Sequence, residues 1–514
     1  MSLDKPENFI EYIYGRVKTR PYYVLIPISI VLLFYRLQYP AMWGDEFYTL
    51  KVIRFTIPEL VETLRGDYHP PLYFILTKWW CSLFGFTDIG MRSLSSLFGL
   101  LGIVVSLIIY RRYYTELSYW FISFLIVIHP TLVLYFRMGR YYSMLYLLSS
   151  ISYLFLFEIL KTGRKTGWFT YALYAFFSIM LLYTSNMGWF VLFSQVLWML
   201  FIDKPGKKKP VIVTFAVIGV AYLPWLGTLL KQIGMSRGAL PYDFASNSLL
   251  DILSKALYPL YSFTISETIY PWTYYLVIPL VIILLWRFGR LLYSSEKRKW
   301  LFTFFITIII PVFMLLVVSE LLLQRLSFIF FPARLIFFVL FVPPLIAGLL
   351  DNLPAYFKRF SLIFIVFIFL YASYNYFFSY KMINPGFNLP MREAAEDFRE
   401  ETDGQQLIIT NIYQPFYYFG EDNTYYDFHW MLRDFSGKDF PASMWFLMKS
   451  TGQIDFKAQT DVFIDSLVNS GAYAKTFENG YSRFDDKTLE WFQKALGKKL
   501  YPYRLSLINI KNRL

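Results

Sequence analysis

The chain has 514 residues, 56% of them hydrophobic, 21% aromatic and 17% charged, with a formal net charge of +13 and a mean hydropathy of +0.43. Soluble domains run at about 45–50% apolar and about 25% charged, so the composition excludes an ordinary soluble protein, a disordered chain, a collagen-like repeat and a small disulfide scaffold. The charge is not a nucleic-acid signal: residues 1–380 hold 33 basic against 18 acidic residues, residues 381–514 hold 16 against 18, and the excess therefore sits in the apolar part. One cysteine, Cys81, excludes an intrachain disulfide.

The N-terminus carries Asp4, Glu7 and Glu11 ahead of its first apolar run and shows no small-residue cleavage site, which reads as a retained signal anchor. A helix crosses the hydrocarbon with about 20 mostly uncharged residues. Runs of this kind lie at 21–35, 93–110, 117–136, 141–157, 210–230, 268–286, 300–319, 335–350 and 360–380. The run 166–202 spans about 55 Å as one helix, too long for a single crossing, and Thr184-Ser185-Asn186-Met187-Gly188 breaks it into two. The expectation is about eleven transmembrane helices.

Short loops on one side concentrate base, among them Arg111-Arg112, Lys207-Lys208-Lys209, Lys297-Arg298-Lys299 and Lys358-Arg359. By the positive-inside rule the N-terminus is cytoplasmic, and eleven crossings put the C-terminal domain outside. The first outer loop, 36–92, is long and aromatic. Thr56-Ile57-Pro58-Glu59 opens a short helix as a capping box, Gly66-Asp67 ends it, and Leu72–Phe84 reads as a helix lying at the membrane surface. A second long outer loop covers 231–267. Beyond residue 380, helices at Met391–Glu401, Asp461–Asn469 and Lys487–Leu496 with strands at Gln406–Tyr413 and Arg504–Lys511 predict a small α/β domain. The fold class is thus a polytopic α-helical membrane protein, with a transmembrane domain over 1–380 and an extracytoplasmic soluble α/β domain over 381–514.

Three groups on the outer side carry candidate chemistry. Trp43-Gly44-Asp45-Glu46 places two carboxylates just after the first span, where acids are costly unless paired, hydrated or used; alternatively Asp45 caps an interfacial helix and Glu46 faces water. In Gly66-Asp67-Tyr68-His69-Pro70-Pro71, two prolines fix His69 beside the membrane, though a lone histidine also serves as a structural hydrogen-bonder. Arg137 and Arg140 share a helical face, and their guanidinium forks suit phosphate oxygens; the alternative is anchoring to lipid headgroups. Arg325 and Arg334 are similar candidates. Trp43, Tyr48, Asp67, Tyr68 and Tyr141 flank these groups and are expected to line the substrate. Together, an acid to take a proton and cations to neutralise a departing phosphate suit glycosyl transfer through an oxocarbenium-like transition state.

At Trp43-Gly44-Asp45-Glu46, His69-Pro70-Pro71-Leu72, Arg92-Ser93-Leu94-Ser95-Ser96 and Arg137–Tyr142 the sequence resembles the GT-C class of membrane glycosyltransferases, in the branch of protein O-mannosyltransferases and the lipid A aminoarabinose transferase. Phe331-Pro332-Ala333-Arg334 with Pro343-Pro344 matches more loosely, and the likeness covers roughly 20–350. The resemblance implies a sugar taken from a polyprenyl-phosphate donor on the extracytoplasmic face, or in a eukaryotic lumen, and passed to a lipid, glycan or protein acceptor. It implies Asp45 as catalytic base with Glu46 beside it, and His69, with Arg137 and Arg140 by position, on the donor phosphate. A bacterial or archaeal plasma membrane is the expected location. The chain departs from the family where Leu72-Tyr73-Phe74 follows Pro-Pro in place of the mannosyltransferases' Gly-Lys, and where His69 replaces the aminoarabinose transferase's lysine, so neither acceptor carries over. Three distant histidines and no Asp-x-Asp pair supply no metal-ligand cluster and leave a metal requirement open. Two rival readings stand beside this one. The first is a secondary transporter or flippase, which should carry charges along a mid-bilayer path; the second is a non-catalytic assembly protein of the same fold.

Overall fold

The computed structural model describes residues 20–114, 116–161, 166–206, 208–235, 249–270, 298–321, 330–350, 353–379, 381–384, 389–412, 415–428, 442–450, 456–482 and 504–513, with 282, 286, 289 and 387 besides. The chain divides into two compact units. The first comprises residues 1–37, 49–269 and 273–374; the second comprises 38–48, 270–272 and 375–514.

The first unit is helical. Among the described residues five helices are long and apolar enough to cross a membrane: Asp88–Tyr113, Tyr142–Leu160, Lys208–Ile233, Leu301–Glu320 and Ala355–Ser379. A sixth candidate is the pair Tyr119–Val127 and Pro130–Phe136, bent by 43°, because Pro130 cannot continue the ladder of the preceding turn. Tyr22–Phe34, Trp168–Thr184 and Gly188–Phe201 are shorter apolar helices. The last two meet at Ser185-Asn186-Met187, the predicted polar break. The chain is an integral membrane protein. Of the eleven expected spans, 268–286 falls almost wholly outside the described residues. The expected span over 335–350 is not one helix: Ile336–Leu340 is a 3-10 turn and Val342–Leu350 a nine-residue helix. Residues 336–340 are completely enclosed by protein, and apolar character there reflects an interior segment, which hydropathy does not distinguish from a lipid-facing one.

Without a hydrophobic drive between helices in lipid, close packing relies on small residues and polar contacts. Asp88–Tyr113 lies along Tyr142–Leu160 and against Pro130–Phe136 through such a seam. A Cβ on Gly99 would come within 2.5 Å of Phe136, and one on Gly102 within 2.8 Å of Tyr146; Ser106 bonds the Tyr146 hydroxyl at 2.8 Å. Tyr142–Leu160 packs in turn on Trp168–Thr184, where Ser152 meets Ser178 at 3.2 Å, and Tyr174 donates to Gln195 of helix Gly188–Phe201 at 2.7 Å.

The long first loop holds three helices, Gly44–Val52, Ile57–Arg65 and Leu72–Phe84. The capping box forms as read, with the Glu59 carboxylate accepting from the Thr56 amide at 2.9 Å and its hydroxyl at 2.8 Å. Leu72–Phe84 has the predicted bounds and leaves Trp79, Leu83 and Phe84 exposed. The second long loop contains a helix of its own, Leu249–Thr264.

In the second unit five strands, β1 Leu407–Thr410, β2 Thr424–Asp427, β3 Ser443–Ser450, β4 Tyr473–Tyr481 and β5 Arg504–Asn512, form one sheet in the order β2-β1-β3-β5-β4. β1 is parallel to β2 and β3, whereas β5 is antiparallel to β3 and β4. Alternation along β3 sends Met444, Phe446 and Met448 to a core with Ile464, Ile508 and Ile510. Trp445 points the other way, 5.0 Å from the Phe398 ring of helix Met391–Glu400. The α/β domain expected from the sequence is present, with three further strands that were not read; the helix expected at Lys487–Leu496 lies outside the described residues.

Candidate functional site

The acid pair opens the helix Gly44–Val52. The Trp43 amide donates to the Glu46 carboxylate at 3.4 Å, the back-reaching half of a capping box. Glu46 is buried, whereas Asp45 is partly exposed. The structural alternative, with Asp45 as cap and Glu46 facing water, is thereby reversed: Glu46 secures the helix start, and Asp45 keeps some exposure. Trp43 is buried with its ring 4.6 Å from Phe387 in an edge contact, and Tyr48 is half-buried one turn further on.

The two arginines of Arg137–Arg140, both 2% exposed, have different partners. Arg137 donates to the carbonyls of Leu32 and Leu33 at 3.1 Å and of Arg36 at 3.0 Å. Leu32 and Leu33 lie in the last turn of helix Tyr22–Phe34 and Arg36 just beyond it, so Arg137 caps the end of that helix. Arg140 reaches the Thr49 hydroxyl at 3.0 Å and the His69 Nε2 at 2.8 Å, with the Tyr141 ring 5.6 Å and the Phe74 ring 6.0 Å from its guanidinium carbon. Gly139 permits this turn: a Cβ there would fall 2.4 Å from Met91.

Guanidinium only donates, so His69 accepts at Nε2 and is the neutral tautomer protonated at Nδ1. Burial, then the charges of Arg140 and Arg334, hold the imidazole well below its ordinary pKa. The Asp67 carboxylate stands 4.0 Å from the same Nε2, and Tyr141 lies against the ring at 5.1 Å. Arg334 donates to the Phe330 carbonyl at 2.9 Å. Arg140 is thus in direct contact with His69, and the charge of Arg334 also acts on that imidazole. Arg325 lies outside the described residues.

The turn that presents His69 is held by amides that sequence reading did not single out as site residues. Asn186 donates to the Tyr68 carbonyl at 3.1 Å and to Gln232 Oε1 at 3.4 Å, and accepts from the Tyr222 hydroxyl at 3.3 Å. Gln232 passes the chain on, donating to the Leu64 carbonyl at 3.0 Å. The network ends on the two carbonyls that flank Arg65-Gly66-Asp67. Its signal was visible as the polar break at 184–188, but its target was not.

A buried carboxyl was also missed. Glu267 accepts from Tyr135 and Ser262 at 2.8 Å and from Tyr258 at 3.2 Å, and burial pushes its pKa up to about 7. With His129 bonded to the Phe263 carbonyl at 2.9 Å and Thr131 to that of Ser262 at 2.5 Å, it ties the end of helix Leu249–Thr264 to helix Pro130–Phe136. Being the single acid between Asp251 and Glu296 was the available hint. Among the described residues no group of three or more histidines, cysteines and acids is arranged to hold a metal ion.

No family model matches the chain, and no curated protein matches its sequence. The crystal structure of ArnT from Cupriavidus metallidurans in the apo state superposes with a TM-score of 0.53 at 14% identity, over 97% of this chain and 98% of that one. The same protein bound to undecaprenyl phosphate gives 0.49 at 13% identity, over 95% and 98%. An Archaeoglobus fulgidus oligosaccharyltransferase tethered with an acceptor peptide gives 0.42 at 12% identity, over 80% and 64%. The last two likenesses are too weak to build on. The first extends over almost the whole length of both chains and is one of fold: this is a GT-C-like polytopic membrane protein with a small C-terminal sheet domain.

Proposed function

We propose that the protein is an inverting glycosyltransferase that moves a sugar from a polyprenyl-phosphate donor to a lipid, glycan or protein acceptor. The observation that carries this reading is the buried Arg140 guanidinium fixed against His69 at 2.8 Å, with the charge of Arg334 also acting on that imidazole, fixed cationic charge suited to a phosphate. The partly exposed Asp45 supplies the base. In the reaction the acceptor hydroxyl or amine gives its proton to the Asp45 carboxylate and attacks the anomeric carbon. The bond from that carbon to the phosphate oxygen breaks, and its electron pair leaves on polyprenyl phosphate. Positive charge developing on the sugar ring is matched by negative charge on the leaving phosphate, which prepositioned guanidinium groups stabilise without reorganisation. Asp67 and Tyr141, flanking His69, line the donor headgroup together with Tyr68; Trp43 and Tyr48 line the approach to Asp45. Arg137, bound to three carbonyls, serves this reading by holding the helix end; Arg325 stays a candidate for the phosphate.

The resemblance of the motifs and the basic cytoplasmic loops support a plasma membrane of a bacterium or archaeon, with the N-terminus inside and residues 381–514 outside. Protease protection of the C-terminal domain in sealed vesicles of known orientation checks this. The function itself is tested by mass spectrometry of lipid extracts from cells with and without the gene. A polyprenyl-phosphate sugar should accumulate in the deletion and be cleared by the wild-type gene but not by Asp45→Asn; an unchanged lipid-linked sugar pool overturns the reading.

A further inference from the structure

The segment that carries Asp45 belongs, by packing, with residues some 340 to 380 positions later in the chain. Residues 39–43 form no helix or strand, so their buried backbone groups need partners other than a regular ladder. The Met42 amide, in a residue 1% exposed, donates to the Tyr418 hydroxyl at 2.7 Å. The rings of Tyr417 and Tyr418 stand edge-on to Phe47 at 6.0 and 5.9 Å. The Arg392 guanidinium lies 5.2 Å from the centres of both the Tyr39 and the Tyr418 rings, between two electron-rich faces. Tyr418 is itself held at its other end, where Arg399 donates to its carbonyl at 2.6 Å. Arg392 and Arg399 are two turns apart on helix Met391–Glu400, so one helix face grips Tyr418 by ring and by backbone.

We propose that the C-terminal domain is a positioning element for Asp45: helix Met391–Glu400, acting through Arg392 and Tyr418, fixes the Tyr39–Phe47 segment and with it the start of the helix on which the base sits. This gives residues 381–514 a part in the chemistry and rests on the reading of Asp45 as base. Tyr418 and Arg392 do not act on the substrate. They set where the carboxylate stands, and a displaced base slows proton transfer while the donor phosphate still binds.

The test pairs a structural with a kinetic readout on the full-length protein in detergent. Hydrogen exchange followed by mass spectrometry reads the Met42 amide. Transfer is measured with whichever member of a synthetic panel of farnesyl-phosphate pentoses and hexoses the wild type turns over. Tyr418→Phe keeps the ring and removes the acceptor. It should speed Met42 exchange at least tenfold and lower kcat about tenfold, with donor KM within twofold; Arg392→Ala should do the same, and Arg392→Lys should restore part of both. Unchanged exchange overturns the clamp, and faster exchange with unchanged kcat overturns its role in positioning. Asp45→Asn is the separate arm: it should lower transfer at least about a hundredfold while leaving Met42 exchange as in wild type. Transfer near the wild-type rate in Asp45→Asn, or a wild type inactive on the whole panel, sinks the reading of the base instead, and the exchange data still decide whether the clamp exists.

Discussion

The acid-bearing segment and the cation-bearing turns are held by different forces. Around Asp45 the supports are rings, one buried amide and a self-capping glutamate. Around His69 and Arg140 they are directional hydrogen bonds from amides and hydroxyls buried among helices. The two regions nevertheless share a division of labour. In each, residues that sit together in sequence take different partners: Glu46 accepts from a backbone amide while Asp45 keeps some exposure, and Arg137 binds backbone carbonyls while Arg140 binds the side chains of Thr49 and His69. A buried charge satisfied by backbone groups is structural, and its neighbour a few residues away can point elsewhere because a helical start or turn fans side chains apart.

That division is open to measurement. The largest effect is expected at the acids. Asp45→Asn should lower transfer by about 10²–10⁴-fold, whereas Glu46→Gln, which keeps an acceptor for the Trp43 amide, should change it severalfold at most. Equal losses in the two variants would falsify the separation of base from cap. Next come the arginines. Arg140→Ala should weaken binding of a farnesyl-phosphate probe by about 10–100-fold, the scale of losing charge-assisted bonds worth about 1.5–3 kcal/mol. Arg137→Ala should instead lower the melting temperature and leave probe affinity per folded molecule within about threefold, since what it releases is a helix end. An Arg137→Ala protein of normal stability that no longer binds the probe would return Arg137 to the phosphate.

A smaller change is expected from the amide network. Asn186→Ala frees the Tyr68 carbonyl and breaks the relay to Gln232, a loss of about 1 kcal/mol that should appear as a severalfold rise in donor KM with kcat nearly constant. Unaltered KM would mean that the turn keeps its shape without the network. The smallest effect concerns pH. The folded-state pKa of His69 is depressed, so between that value and about 6.5 the unfolded chain binds the extra proton and stability is lost as pH falls. Thermal unfolding of the detergent-solubilised protein should therefore occur at lower temperature as pH drops below about 6.5, with a shallower dependence in His69→Gln. An identical slope in the variant would assign the effect to another group.

Much of this was legible because it is local. The capping box at Thr56–Glu59, the bounds of Leu72–Phe84, the break at 184–188 and the end strand at Arg504–Asn512 follow from propensity, periodicity and side-chain reach within a few residues. Candidate residues were legible as types: acids after a span, a proline-fixed histidine, paired arginines. The run at 335–350 misled because an enclosed segment and a membrane span have the same hydropathy. The strands β2, β3 and β4 are short or mixed in polarity, and their pairing to β1 and β5 is what makes them strands.

Sequence alone determined that the chain is a membrane protein, where most helices begin and end, and which residue types stand near the site, because transfer free energy and backbone capping depend on a few consecutive residues. Tertiary structure alone decided that Glu46 rather than Asp45 is buried, that Arg137 caps a helix while Arg140 meets His69, and that Tyr418 holds the amide of Met42 across 376 positions. Each of these outcomes depends on which partner a side chain or amide finds, and the partner comes from a distant segment brought near by packing. Spacing along the chain carries no information about that distance.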